Sequence, residues 1–442
     1  MDPHLATLLL GSISADNLVV FCGAGLSMAS PSAVPSARRL AMDCSTKYEL
    51  AIGAGLPPDA RDNLETQCKF ALDRGELQKL FLEKLVAWRP FFRDPNKGHK
   101  AIADFLGAGV LRFGVTTNVD FLVETAAQEL GEDHFQAALN AVEAGTARQH
   151  ASYNKIHGCA MLDKRNTLWC KEQIVVGSPL QKRIDSFKIW LRANLAGRDL
   201  VFIGFWSDWD YLIKILEDCV TDVEPNLVVL VDPLPAADLE AKAPGLWTWA
   251  KGPNCNFHHA QESGADFLDA LRRRFSIQFL ETVIENAKTP YTALTGKHYT
   301  RPNTFDTTLS ADELYSLRRD IEGLPSSRIA RKKVPDAQMQ LIGTVHMRLI
   351  EAGAAFSGPR YTFNSKRIRV LQGAGRVLSL TKKQFDSEEL PIGDDIVICV
   401  GADDDGGVPT SIVRGTSSPL LIRPLSAPEW MNERRAIGDL KI

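Results

Sequence analysis

The stretch NLVVFCGAGLS, residues 17–27, is where the fold is decided. Leu18 to Cys22 is an apolar run without alternation, the texture of a strand buried on both faces, as in a parallel sheet. It breaks into Gly23-Ala24-Gly25, with Ser27 just beyond. Glycines at the carboxyl end of such a strand have two readings. They make a tight strand-to-helix connection, or they let backbone N–H groups approach a phosphate.

Similar short runs recur through the first 260 residues: Leu111 to Thr116, Asn154 to Ile156, Leu200 to Ile203, Leu227 to Val231 and, more weakly, Asn254 to His259. Helical patterns lie between them, at Asp120 to Leu130, Arg183 to Gly197 and Asp208 to Val220. Strands alternating with helices predict an α/β fold, a Rossmann-like doubly wound parallel sheet. Residues from about 36 to 108 hold no good strand and much helix-forming sequence, such as LQKLFLEKLVAWRPFF, and predict a helical insertion. Within or beside it GLPPDARD and RDPNKGH read as loops.

After residue 285 the texture changes. TPYTALTGKHYTRPNTFD reads as a linker or extended arm. SADELYSLRRDIEGL is a helix with Ser310 as cap and Gly323 as stop, and a longer helix ends at Gly353. RYTFN, RIRVLQ, RVLSLTKKQF and DIVICVGADDD read as strands. The expected organisation is a domain over 1–285 and a smaller α+β region over 286–442.

The 442 residues carry a net charge of −3, so no global field favours nucleic acid or an anionic membrane. The basic run Arg328 to Val334 reads as a solvated face. No stretch reaches the roughly 20 apolar residues of a membrane span, and the N-terminus lacks the basic start of a signal peptide. Eight scattered cysteines form no C-x-x-C pair, which fits a reducing cytoplasm.

The strand ends concentrate polar chemistry. After Gly23-Ala24-Gly25 and Ser27 come Thr116, Thr117, Asn118 and Asp120; then His157-Gly158; then Gly204 and Ser207; then Asp232. Each has a bland alternative: an Asx turn with Asp120 capping a helix, a structural histidine, a plain turn at Asp232-Pro233. Trp206 and Trp209 flank the fourth cluster and read as packing or contact residues. Taken together, these groups suit holding a dinucleotide and assisting cleavage of a glycosidic bond.

G-A-G-x-S, T-x-N-x-D, K-I-H-G and G-x-x-S, in this order, resemble the sirtuin superfamily over roughly residues 10–275. The resemblance implies that Gly23, Ala24, Gly25 and Ser27 contact the pyrophosphate and adjacent ribose of NAD+. It implies that Asn118 holds the nicotinamide-side ribose or the attacking water, that Asp120 binds the carboxamide, and that His157 is the general base. Thr116, Gly204, Ser207 and Asp232 would complete the cofactor site.

The chain departs from deacylases in three places. The paired C-x-x-C zinc module is absent, with only Cys159 and Cys170 in that interval. ASPSAVPSARRLA replaces the deacylase motif after the glycine turn. Thr117 stands where deacylases have Gln. Pro35-Ser36 resembles instead the zinc-lacking sirtuin-like NAD hydrolases of bacterial anti-phage systems. That branch implies NAD+ as substrate, no metal requirement, a homo-oligomer and a HerA-type ATPase partner. The alternatives are an NAD-dependent protein deacylase and a non-catalytic NAD-binding regulator or scaffold.

Overall fold

The computed structural model describes all residues except 132–134, 136, 147–150, 206–209, 221–224, 253–254, 302–307, 324–334, 374, 389–392 and 404–427. Ser207, Trp206, Trp209, Asp208, Asn254 and the basic run Arg328 to Val334 lie outside the described residues. The described chain forms two compact units, Met1–Arg272 and the residues from Arg273 to Ile442.

The first unit is built on six parallel strands: β1 (Leu18–Cys22), β2 (Phe113–Thr116), β3 (Tyr153–Lys155), β4 (Asp199–Ile203), β5 (Leu227–Val231) and β6 (Asn256–Ala260). Their order is β3-β2-β1-β4-β5-β6. Every residue of β1 and β5 is buried, as unalternating apolar runs require. Phe21 and Phe202 stack face to face at 4.6 Å on one side of the sheet, where Phe205 meets both edge-on.

The order reverses direction between β1 and β4, so the crevice beyond their carboxyl ends is the place where such sheets bind ligands. Register brings the strand ends level: Cys22 pairs with Thr116 and with Ile203, Thr116 with Lys155, and Ile203 with Val231. The polar segments that follow these strands therefore share one edge of the sheet.

Between β1 and β2 the chain is helical. Helices Ala37–Ile52 and Leu64–Asp73, a stretch at Leu77–Leu85 with i→i+5 bonds, and helix Lys97–Gly107 follow one another. Ser36 caps the first, its hydroxyl accepting from the Arg39 N–H. RDPNKGH is only partly a loop. Asn96 caps the helix that starts at Lys97, in a reciprocal box with His99 as the third helical residue.

The second unit has a five-stranded mixed sheet in the order β11-β10-β9-β8-β7. Its strands are β7 (Ala355–Ser357), β8 (Arg360–Phe363), β9 (Lys366–Gln372), β10 (Ile396–Val400) and β11 (Glu429–Asn432). The first three pair antiparallel; β9, β10 and β11 are parallel. Asn364 and Ser365, both with positive φ, make the two-residue turn between β8 and β9. Helices Ala311–Glu322 and Asp336–Glu351 pack on β9, and the first opens with a capping box at Ser310 and Glu313.

Two expectations for this region fail. The segment read as a linker is helical up to Thr295, because helix Gly264–Thr295 continues past Pro290. The buried stripe Leu280, Val283, Ile284, Ala287 and Tyr291 keeps helical spacing across the proline, and packing overrides the local break. RVLSLTKKQF is also not a strand: Leu378–Glu388 is a helix. Its apolar residues Val377, Leu378 and Leu380 are misleading, since Thr381 is buried while Leu380 is 59% exposed.

Candidate active site

Two glycine turns meet at the switch point. The Gly23 N–H donates to Ile203 O at 2.9 Å and the Gly25 N–H to Gly204 O at 3.0 Å. A Cβ on Gly25 would lie 2.6 Å from Gly204 Cα, and one on Gly23 would lie 2.4 Å from Gly204 O. Gly204 itself has φ +54. The glycines are therefore required by the approach of two backbones, and the N–H groups of Gly23 and Gly25 are already committed.

Beyond β1, Ser27 is buried, and its hydroxyl joins three partners. It donates to Asp120 Oδ2 at 2.8 Å and lies 3.1 Å from both His99 Nε2 and Asn118 Nδ2. The Asn96 N–H donates to His99 Nδ1 at 3.1 Å, which fixes the proton of the neutral ring on Nε2. His99 is neutral because burial pushes its pKa down to about 4 against the pull of the Asp120 carboxylate. The Ser27 oxygen thus accepts from His99 and Asn118 and donates to Asp120, its full capacity.

The same network orients Asn118. Its Nδ2 also donates to Gly23 O at 3.0 Å, so the amide nitrogen has two acceptors. Its backbone N–H donates to Thr116 Oγ1, and Thr116 Oγ1 in turn donates to Cys22 O, both at 2.9 Å. The carbonyl Oδ1 is left as the acceptor that Asn118 presents to a molecule in the cleft. Asp120 Oδ1 accepts the Leu122 N–H at 3.3 Å, so this aspartate both makes the turn into helix Leu122–Glu129 and faces the site.

His157 follows β3 in a turn closed by the Gly158 N–H on Lys155 O at 3.1 Å. Burial, then the nearby Arg183 guanidinium, pulls the His157 pKa down to about 3. The imidazole is therefore neutral at physiological pH, with one ring nitrogen left as an acceptor.

Ala24, Ser27, Asn118, Asp120 and His157 line one cleft, together with Thr117 and Pro35. Gly23, Gly25, Thr116, Gly204 and Asp232 do not line it. Asp232 sits at the end of β5, where its buried carboxylate accepts the Leu234 N–H at 2.9 Å. The cleft is also lined by an apolar set: Val34, Leu40, Leu64, Phe91, Leu168 and Trp169. Trp169 is held rigid there by Phe81, Trp88 and Phe91, each meeting it edge-on near 6 Å, and by Nε1 donating to Thr167 Oγ1 at 2.7 Å.

No protein-family model matches the chain, and no curated protein matches it. Among solved structures the chain is similar to a Sir2 homologue mutant complexed with ADP-ribose, at 19% identity and a TM-score of 0.36, covering 63% of this chain and 98% of the other. A Sir2 homologue complexed with NAD shares 18% identity at a TM-score of 0.35, over 61% of this chain and 93% of the other. Sir2Tm bound to a propionylated peptide shares 12% at 0.31, over 61% and 97%.

Sequence reasoning missed His99, Lys155, Glu124 and the apolar wall. The pattern Asn96-x-x-His99 was a usable signal, because it is a capping box. Leu40, Leu64 and Phe91 carry no local signal, since only the fold of the insertion turns them toward the cleft.

Proposed function

We propose that this chain is an NAD+ glycohydrolase that cleaves the nicotinamide–ribose bond to give nicotinamide and ADP-ribose. The observation that carries the reading is that an oriented amide acceptor, Asn118 Oδ1, and a neutral imidazole, His157, line one cleft beside the Asp120 carboxylate. Nicotinamide leaves readily because its ring is cationic, and positive charge moves onto the ribose as the bond breaks. A carboxylate and an amide carbonyl favour that charge, and the neutral His157 ring nitrogen can accept a hydrogen bond that orients an attacking water.

Hydrolysis is favoured over protein deacylation by the sequence departures from deacylases. In the cell the reaction would deplete NAD+ in anti-phage defence once a trigger or partner acts. The region 286–442 would serve docking or assembly, as a homo-oligomer and with a HerA-type ATPase; the resemblance of the sequence motifs supports this part. The test is to incubate the protein with NAD+, with and without an acetylated peptide, and to quantify nicotinamide. Release independent of peptide is expected. Release that requires peptide would assign a deacylase, and binding without release would assign a regulator.

A further inference from the structure

One buried lysine ties the two halves of the cleft together. Lys155 ends β3 and is 1% exposed. Its main-chain carbonyl accepts the Gly158 N–H and so closes the turn that carries His157. Its ammonium crosses to the other half of the site, donating to the main-chain carbonyl of Asp120 and, at 2.8 Å, to Glu124 Oε1. Asp120 is thus held at both ends, by Ser27 on its carboxylate and by Lys155 on its carbonyl, and Asn118 lies two residues before it in the same turn.

The charge state follows from the geometry. Burial pulls the ammonium toward neutrality and pushes the Glu124 carboxyl up, but their contact at 2.8 Å opposes both and leaves the Lys155 pKa above its ordinary value. Glu124 is 4% exposed and its Oε2 has no hydrogen-bond partner among the described residues. A well-packed apolar pair is usually as stable as a buried ion pair, so stability alone does not demand this one. The specific element is the bond to the Asp120 carbonyl, which no apolar side chain can make.

We propose that Lys155 is a positioning residue: a strut that sets the spacing between the Asn118–Asp120 turn and His157, with Glu124 as the ion-pair partner that holds its ammonium in place. This rests on the hydrolase reading for its consequence in turnover, but the strut itself has a readout that needs no activity. The variant is Lys155→Met combined with Glu124→Leu, which removes both charges together. A thermal melt selects it as folded, and Lys155→Met with Glu124→Met is the second choice if it melts early. Hydrogen–deuterium exchange then follows peptides spanning residues 116–122 and, as reference, those spanning β1.

The expected result is a rise of about tenfold or more in exchange over 116–122 with β1 unchanged. Exchange over 116–122 equal to wild type overturns the proposal. Where the wild type releases nicotinamide, kcat of the folded double variant should fall about tenfold while KM stays within about threefold. An unchanged kcat overturns the strut, whereas a wild type without turnover contradicts the hydrolase reading and leaves the exchange result to decide the strut.

Discussion

Replacing Ser27 with alanine removes the hydroxyl on which three side chains converge. His99 Nε2–H and Asp120 Oδ2 lose a partner inside the protein, and Asn118 Nδ2 keeps only Gly23 O. A buried polar group left unsatisfied costs about 1–3 kcal/mol. Two such groups, His99 and Asp120, are buried, Asp120 although it also lines the cleft, while Asn118 is half-buried at the cleft wall. The expected destabilisation is about 3 kcal/mol. Unfolding entropy near 2.1 cal/mol/K per residue, over the 272 residues of the first unit, converts this to a drop of about 5 °C in its melting temperature. Ser12→Ala is the control, because Ser12 Oγ is buried with no hydrogen-bond partner among the described residues, and its loss should shift the melt by less than about 1 °C. Calorimetry of the three proteins reads both shifts. A Ser27→Ala melt that coincides with wild type, or with the Ser12→Ala control, would show that the serine is not the hub described here.

Acid should act through the buried histidines. His157 and His99 are held near about 3 and about 4, below the unfolded value near ~6.5, so the unfolded chain binds more protons between those limits. Stability is therefore lost as pH falls through that window, by on the order of 1 kcal/mol per pH unit for each histidine. Urea midpoints at pH 6 and pH 4 for wild type and His157→Asn should differ in slope by that amount; parallel slopes would refute the buried neutral ring. Gly25→Ala pushes a methyl to 2.6 Å from Gly204 Cα, backbone against backbone, and should cost about 3 kcal/mol by urea titration. Gly109→Ala, with nothing within 4 Å of its added Cβ, should show only the strain of its positive φ, about 1 kcal/mol.

The sheet was legible because its strands are apolar runs that need no partner to be recognised: Leu18–Cys22 and Leu227–Val231 are found where the sequence places them, and the others shift by one or two residues at one or both ends. The clustering of Ser27, Asn118, Asp120 and His157 was legible too, since the carboxyl ends of parallel strands share an edge whatever the loops do. The roles of the glycines were not. Gly23 and Gly25 look like phosphate-binding residues in sequence, yet their N–H groups pair with β4 and its turn, a contact 180 residues away. Lys155 was hidden for a related reason, because it reads as the polar end of a strand until Asp120 and Glu124 are placed over it. In the second unit β7 and β11 are three and four residues long, too short for period to declare them. The helix through Pro290 is settled by a stripe of packing that local propensity does not contain.

The central claim is that Asn118 and His157 act on one bound dinucleotide in one cleft. Its most direct measurement is nicotinamide release from NAD+ by wild type, Asn118→Ala and His157→Ala under identical conditions, with NAD+ binding followed in parallel by calorimetry. The account predicts that both variants still bind NAD+ and that each loses about 100-fold or more of the wild-type rate, in keeping with the loss of a positioned acid–base group. A variant of either residue that turns over NAD+ at the wild-type rate would contradict it.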